Sequence, residues 1–150
     1  MWKNMNKYMK FMDTMAEDYI VDYGLGDWLA PNETDVCPSV ITDTCYYYSN
    51  CKIMSNCAKI IGKDGKLFSQ KAKKIRRNFR TKFIEKNFYL ENRQTAIAAA
   101  IYFGMYENKE IPLAAARLKE IILQNGKRFD TGILGTKYMF TALCENEMCS

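Results

Sequence analysis

Tyr23-Gly24-Leu25-Gly26-Asp27-Trp28-Leu29-Ala30-Pro31 sets an indole beside a carboxylate, framed by glycines that allow close backbone approach. Exposed connections are ordinarily polar, so a loop this rich in aromatics predicts a concave surface rather than a plain linker. Six cysteines stand at Cys37, Cys45, Cys51, Cys57, Cys144 and Cys149. Three of them recur every six residues within one expected helix, on different azimuths and too far apart along the axis to bridge. They are expected to be reduced, small, buried hydrophobes of a cytoplasmic protein, and the even count of six is not read as a disulfide framework. There is no histidine and no Cys-x-x-Cys. Zinc-finger, haem-attachment and thioredoxin-type sites therefore lack their ligands, and no Ser-His-Asp or Cys-His relay fits within the chain. Neither a metal nor a cofactor is expected.

The elements that position these groups follow from composition and periodicity. At 150 residues, 48% hydrophobic and 26% charged, the chain reads as one folded domain over 1–150 and not as a disordered segment. Eight glycines and three prolines are few for this length, which argues against turn-dense β architecture and for an all-α fold. The net charge of +5 is too diffuse for a nucleic-acid footprint. No apolar run reaches the roughly 18–20 residues that cross a bilayer, and the first residues lack a signal-peptide core. No membrane partner is expected.

Met5, Tyr8, Met9, Met12 and Met15 mark one stripe of a first helix. The aromatic loop spans Glu17 to Asp35. Ser39 to Ile61 reads as a helix wrapped on all sides by neighbours, since Tyr46-Tyr47-Tyr48 puts rings on nearly every face; Ser39 or Thr42 is its candidate cap. Asp64 to Ile84 is amphipathic, with Phe68, Ala72, Ile75, Phe79 and Phe83 on one stripe. Its basic residues between Lys71 and Lys82 read as a solvated face, not a phosphate-binding one. A short extended piece is expected at Asn87 to Leu90. An alanine-rich inner helix runs from Gln94 to Gly104, and an outer one, with Pro112 in its first turn, from Leu113 to Asn125. A third inner helix, Lys137 to Cys144, follows the loop Phe129 to Thr136. Six helices alternating buried and amphipathic describe successive hairpins, as in an α/α toroid or an α-solenoid.

Four stretches in this order resemble the bacterial α-L-rhamnosidases: Tyr23 to Pro31; Tyr46-Tyr47-Tyr48 with Lys59-Ile60-Ile61-Gly62-Lys63; Gln94-Thr95-Ala96 with Phe103-Gly104; and Thr131-Gly132-Ile133-Leu134-Gly135-Thr136 with Leu143. The resemblance covers nearly the whole chain. It implies helical hairpins forming about half of an (α/α)6 toroid, within a glycoside hydrolase that removes terminal rhamnose with inversion. Inversion needs a carboxylic acid and a carboxylate base about 6.5–9.5 Å apart. In the family the acid lies in an Asp-Glu-Arg stretch followed by Gly-Trp, and the base in a Trp-Glu stretch beyond the last hairpin. Neither occurs here: the tryptophans are Trp2 and Trp28, and neither precedes a glutamate. The chain thus resembles a central piece of the catalytic domain, without catalytic residues of its own and inactive alone.

The expected partner is a rhamnosyl carbohydrate, with self-association through uncovered hairpin faces. Trp28 is the leading candidate to cover the apolar face of rhamnose, as the resemblance places a pocket tryptophan there. Asp27 either hydrogen-bonds sugar hydroxyls or holds the loop by accepting backbone N–H groups. Tyr23 offers a hydroxyl to the pocket or simply packs, and Thr131 and Gly132 line a pocket turn or form a helix entry. The carboxylates Glu17, Asp18 and Asp22 read as solvated surface. The rival reading is a non-catalytic helical-repeat module that binds protein through a concave face.

Overall fold

The computed structural model describes residues 1–31 and 36–148, so the end of the expected aromatic loop at Asp35, and Cys149, lie outside the described residues. Among the described residues six α-helices run in sequence: α1 Trp2–Thr14, α2 Ser39–Ile60, α3 Lys66–Phe79, α4 Gln94–Tyr102, α5 Ile111–Gln124 and α6 Ile133–Cys144. They stack as successive hairpins, about half of an (α/α)6 toroid. Helices α2, α4 and α6 form the inner layer. Every residue of α4 from Gln94 to Ile101 is buried, because its alanines let neighbours approach on all sides. The outer helix α3 packs along α2, and α5 lies over α4 and α6.

Two apolar clusters meet at α2. Met9, Met12, Val21, Tyr47, Cys51, Met54, Ala72 and Ile75 join α1, α2 and α3. The larger one runs from Ile41 and Cys45 through α4 to Leu118, Ile122, Tyr138 and Met139. Tyr47 is almost wholly buried and Tyr46 and Tyr48 are partly so, but Lys52, Ile53, Asn56, Lys59 and Ile60 are exposed, so only the first half of α2 is enclosed by neighbours and not the whole helix as expected.

Lys73, Lys74 and Arg77 are exposed, as a solvated face requires, but other basic residues of α3 and Arg80 just after it are engaged by the scaffold. Lys71 Nζ pairs with Asp13 at 2.5 Å. Arg76 donates to the carbonyls of Gly104 and Tyr106 at the end of α4. The Arg80 guanidinium grips Glu110 with two bonds, of 2.8 and 3.0 Å, at the start of α5. Lys71 thus ties α3 to α1, while Arg76 and Arg80 join the first hairpins to the start of the third.

Several local expectations are corrected. Pro38, not Ser39 or Thr42, occupies the N-cap of α2. The Ser39 hydroxyl donates instead to Asp22. The loop after α1 opens with a small antiparallel hairpin, β1 Ala16–Glu17 and β2 Ile20–Val21, whose turn residues Asp18 and Tyr19 both have positive φ. The expected extended piece at Asn87 to Leu90 is a turn leading into a 3-10 segment, Leu90–Asn92. Cys37, Cys45, Cys51 and Cys57 are free thiols, whereas Cys144 is disulfide-bonded.

Candidate functional site

The inner helices present their N-termini at one end, and the loop from Asp22 to Leu29 crosses that end. Its near limb hangs from α2. The Val21 backbone N–H donates to Thr44 Oγ1 at 3.0 Å, and Thr44 Oγ1 donates back to the Val21 carbonyl at 3.2 Å. Gly26 lies against the first turn of α2, where a Cβ would fall 3.3 Å from Ser39.

The far limb is fixed by Asp27, which is 2% exposed. Its Oδ2 accepts the backbone N–H of Gly132 at 2.7 Å and the hydroxyl of Thr95. Its Oδ1 accepts the backbone N–H of Gly135 at 2.9 Å. A carboxylate over the first turn of a helix satisfies orphan donors and meets the positive end of the helix dipole. The neighbouring Trp28 carbonyl takes the N–H of Ile133 at 2.9 Å. One dipeptide therefore caps α6 and ties it to α4.

This closeness explains the glycines of the last loop. A Cβ on Gly132 would sit 2.2 Å from the Trp28 carbonyl oxygen, and one on Gly135 would sit 2.1 Å from Thr95 Oγ1. Both distances are far inside van der Waals contact. Gly132 is the N-cap of α6, so the helix begins at Ile133, four residues before the expected start at Lys137.

Of the sequence-derived candidates, Asp27, Thr131 and Gly132 are buried, while Trp28 is 58% and Tyr23 is 55% exposed. Asp27 makes the loop-holding contacts that were one of its two readings. Thr131 Oγ1 lies 2.9 Å from Thr136 Oγ1 inside the entry to α6. The Tyr23 ring stands edge-on to Phe11, with centroids 5.6 Å apart. Tyr47 donates its hydroxyl to Asp13 at 2.6 Å and Tyr46 pairs with Tyr138, so both serve the core. Glu17, Asp18 and Asp22 are exposed, and Asp22 is tied to Ser39.

A polar cavity of about 260 Å³ opens beside the Asp27 clamp, lined by Cys37, Arg93, Gln94, Thr95, Asn125 and Asp130. Gln94, in the first turn of α4, shapes its rim by accepting the Asp130 N–H at 2.9 Å and donating to the Arg128 carbonyl at 3.3 Å. Sequence reasoning did not single out Thr95 or Gln94 as individual contributors, because their partners lie 34 to 68 residues away. The Gln94-Thr95 pair itself was the available signal. Among the described residues no group of three or more His, Cys, Asp or Glu is placed to hold a metal.

Residues 1–149 match the family described as the bacterial alpha-L-rhamnosidase 6 hairpin glycosidase domain. An alpha-L-rhamnosidase of Formosa agariphila is 30% identical over 153 residues, covering 92% of this chain and 16% of that protein. One from an Alteromonas species is 24% identical, covering 96% of this chain and 17% of its own length. The fold superposes on Streptomyces avermitilis alpha-L-rhamnosidase, solved in complex with L-rhamnose, with a TM-score of 0.88 at 20% identity over 98% of this chain and 14% of that one. It also superposes on alpha-L-rhamnosidase from Dictyoglumus thermophilum with a TM-score of 0.85 at 29% identity, over 98% of this chain and 18% of that one. The chain spans less than a fifth of the length of these relatives.

Proposed function

The chain belongs to the bacterial α-L-rhamnosidase six-hairpin glycosidase family, and on that premise we propose that it supplies one wall of a rhamnosyl pocket within a larger catalytic toroid. The observation that carries the reading is the exposed Trp28 indole, held by Asp27 where the inner helices present their N-termini. An indole in that place offers an apolar plane to the methyl-bearing face of a 6-deoxy sugar. Tyr23 and Trp28 contact the sugar, and Asp27, Thr131 and Gly132 position them.

The reaction of the whole toroid is release of terminal α-L-rhamnose with inversion. One carboxylic acid protonates the leaving oxygen and one carboxylate activates water from the opposite face. Asp27 fills neither role, since its oxygens already accept three hydrogen bonds from the scaffold. Both groups belong to parts of the toroid beyond these hairpins, so this chain alone does not hydrolyse rhamnosides. Its uncovered faces, where Ile133 and Phe140 are exposed on α6, favour self-association.

Titration of the chain with L-rhamnose, followed by saturation-transfer NMR, tests the pocket. We expect transfer to the sugar methyl that disappears in Trp28→Ala. Equal transfer in both proteins, or none in either, removes the reading. Release of nitrophenol from a nitrophenyl rhamnoside by the isolated chain would overturn its inactivity.

A further inference from the structure

Asp43 lies in the second turn of α2, directly under the near limb of the mouth loop, and is 9% exposed. Its carboxyl accepts the backbone N–H of Tyr23. Gly24 rests on the carboxyl face, so that a Cβ there would fall 2.6 Å from Oδ1 and 3.0 Å from Oδ2. Oδ2 is buried with no hydrogen-bond partner among the described residues. Among the described residues the side chains that face Asp43 do not compensate a negative charge. Asp22 on the loop is a like charge, and its own Oδ1 takes the Ser39 hydroxyl at 2.5 Å. Cys37, ahead of α2, and Cys45, within it, are buried thiols. Burial pushes Cys37 up to about 12, so it stays neutral.

A carboxylate with one orphaned oxygen beside a like charge has two ways to relieve its burial: it keeps a proton, or it admits water. Water reaches Asp43 Oδ2 when Tyr23 and Gly24 lift away from α2, because Gly24 covers the carboxyl. We propose that Asp43 is a positioning residue for the Tyr23 limb of the mouth, holding that limb down while protonated and releasing it when ionised. The far limb at Asp27 and Trp28 is fastened separately to α4 and α6, so release is confined to the near limb. Desolvation, with Asp22 as a lesser cause, raises the carboxyl to about 6 against the opposing effect of the Tyr23 N–H, which puts the change in weakly acidic solution. The inference concerns the position of the loop and does not rest on sugar binding.

The test is amide hydrogen exchange at Tyr23 and Gly24, read by NMR on the full ¹⁵N-labelled chain without sugar from pH 5 to 8 and corrected for intrinsic exchange. Protection of these amides is expected to fall on the order of tenfold across that range while α4 stays protected. Asp43→Asn is expected to abolish the dependence, and Asp22→Asn to move its midpoint to lower pH by removing the like charge. Protection that does not vary with pH overturns the proposal, as does an unchanged profile in Asp43→Asn. A midpoint unmoved in Asp22→Asn also counts against it and does not depend on how the Asp43 variant folds. Because no sugar is present, failure here is distinct from failure of the rhamnose titration.

Discussion

Asp27 accepts the backbone N–H of Gly135 across 108 residues of sequence, at 2.9 Å. The same carboxylate takes Gly132 and Thr95, so one side chain closes the mouth. An amide at this position keeps the shape but turns one acceptor into a donor that faces N–H and O–H groups. Asp27→Asn is therefore expected to lower stability by about 2–4 kcal/mol. Urea unfolding, with the midpoint reduced and the slope preserved, checks this, and a change below about 0.5 kcal/mol would sink the idea of a clamp.

Gly135 has no room for a methyl group, since its Cβ would lie 2.1 Å from Thr95 Oγ1 and 2.6 Å from Asp27 Oδ2. Gly135→Ala is expected to cost about 1–3 kcal/mol through overpacking, despite the better helix propensity of alanine. The two effects share partners, so Gly135→Ala combined with Thr95→Ala is expected to cost less than the sum of the singles. Additive losses in a double-mutant cycle would show that the crowding lies elsewhere.

Trp28 separates the site from its scaffold. With the indole 58% exposed, Trp28→Ala is expected to change stability by less than about 1 kcal/mol while removing sugar contact. Thermal melts beside the rhamnose titration test the split, and a large loss of stability would make the indole a packing residue.

Arg80 and Glu110 join the first hairpins to the third. The Arg80 hydrogen bonds hold the Glu110 carboxyl down to about 2, from an ordinary 4.5. A carboxylate with a lowered folded-state value stabilises the fold above 4.5 and loses that contribution as the pH falls toward 2. Glu110→Gln is expected to cost about 1 kcal/mol at pH 7, a modest figure because water screens part of the pair. The gap from wild type is expected to narrow steadily below pH 4.5. A gap constant from pH 7 to 3 would show that the ion pair contributes little.

Ile133 and Phe140 stand 58% and 54% exposed along α6. Phe140→Glu is expected to shift the chain toward monomer in light scattering. A wild type that is already monomeric at high concentration would remove the case for self-association.

The layering of the fold was legible because it rests on local patterns: the uncharged alanine-rich stretch that became α4, and the single apolar stripe that became α3. The mouth was legible only as a cluster of residue types. That Asp27 would be a clamp depended on donors far along the chain, which periodicity does not record. The same contact explains why α6 starts early, since a cap supplied from a remote loop leaves no mark beside the helix. Asp43 passed unnoticed because it sits within a helix whose neighbours are apolar, and its isolation comes from the glycine that covers it. The disulfide at Cys144 was missed because the helical spacing argument applied only to Cys45, Cys51 and Cys57.

Since Gly132 trails Asp27 by 105 positions, a growing polypeptide joins the two ends of this contact only once α6 has emerged. Each hairpin can pack as it emerges, through contacts between neighbours in the chain. The contact itself forms as a loop-closure step joining the segment after β2 to α6. A break in the backbone between that loop and α6 would leave hairpins that still stack but a doorway without its latchkey, so the Asp27 contact reports on the integrity of the backbone from Asp27 to Gly132.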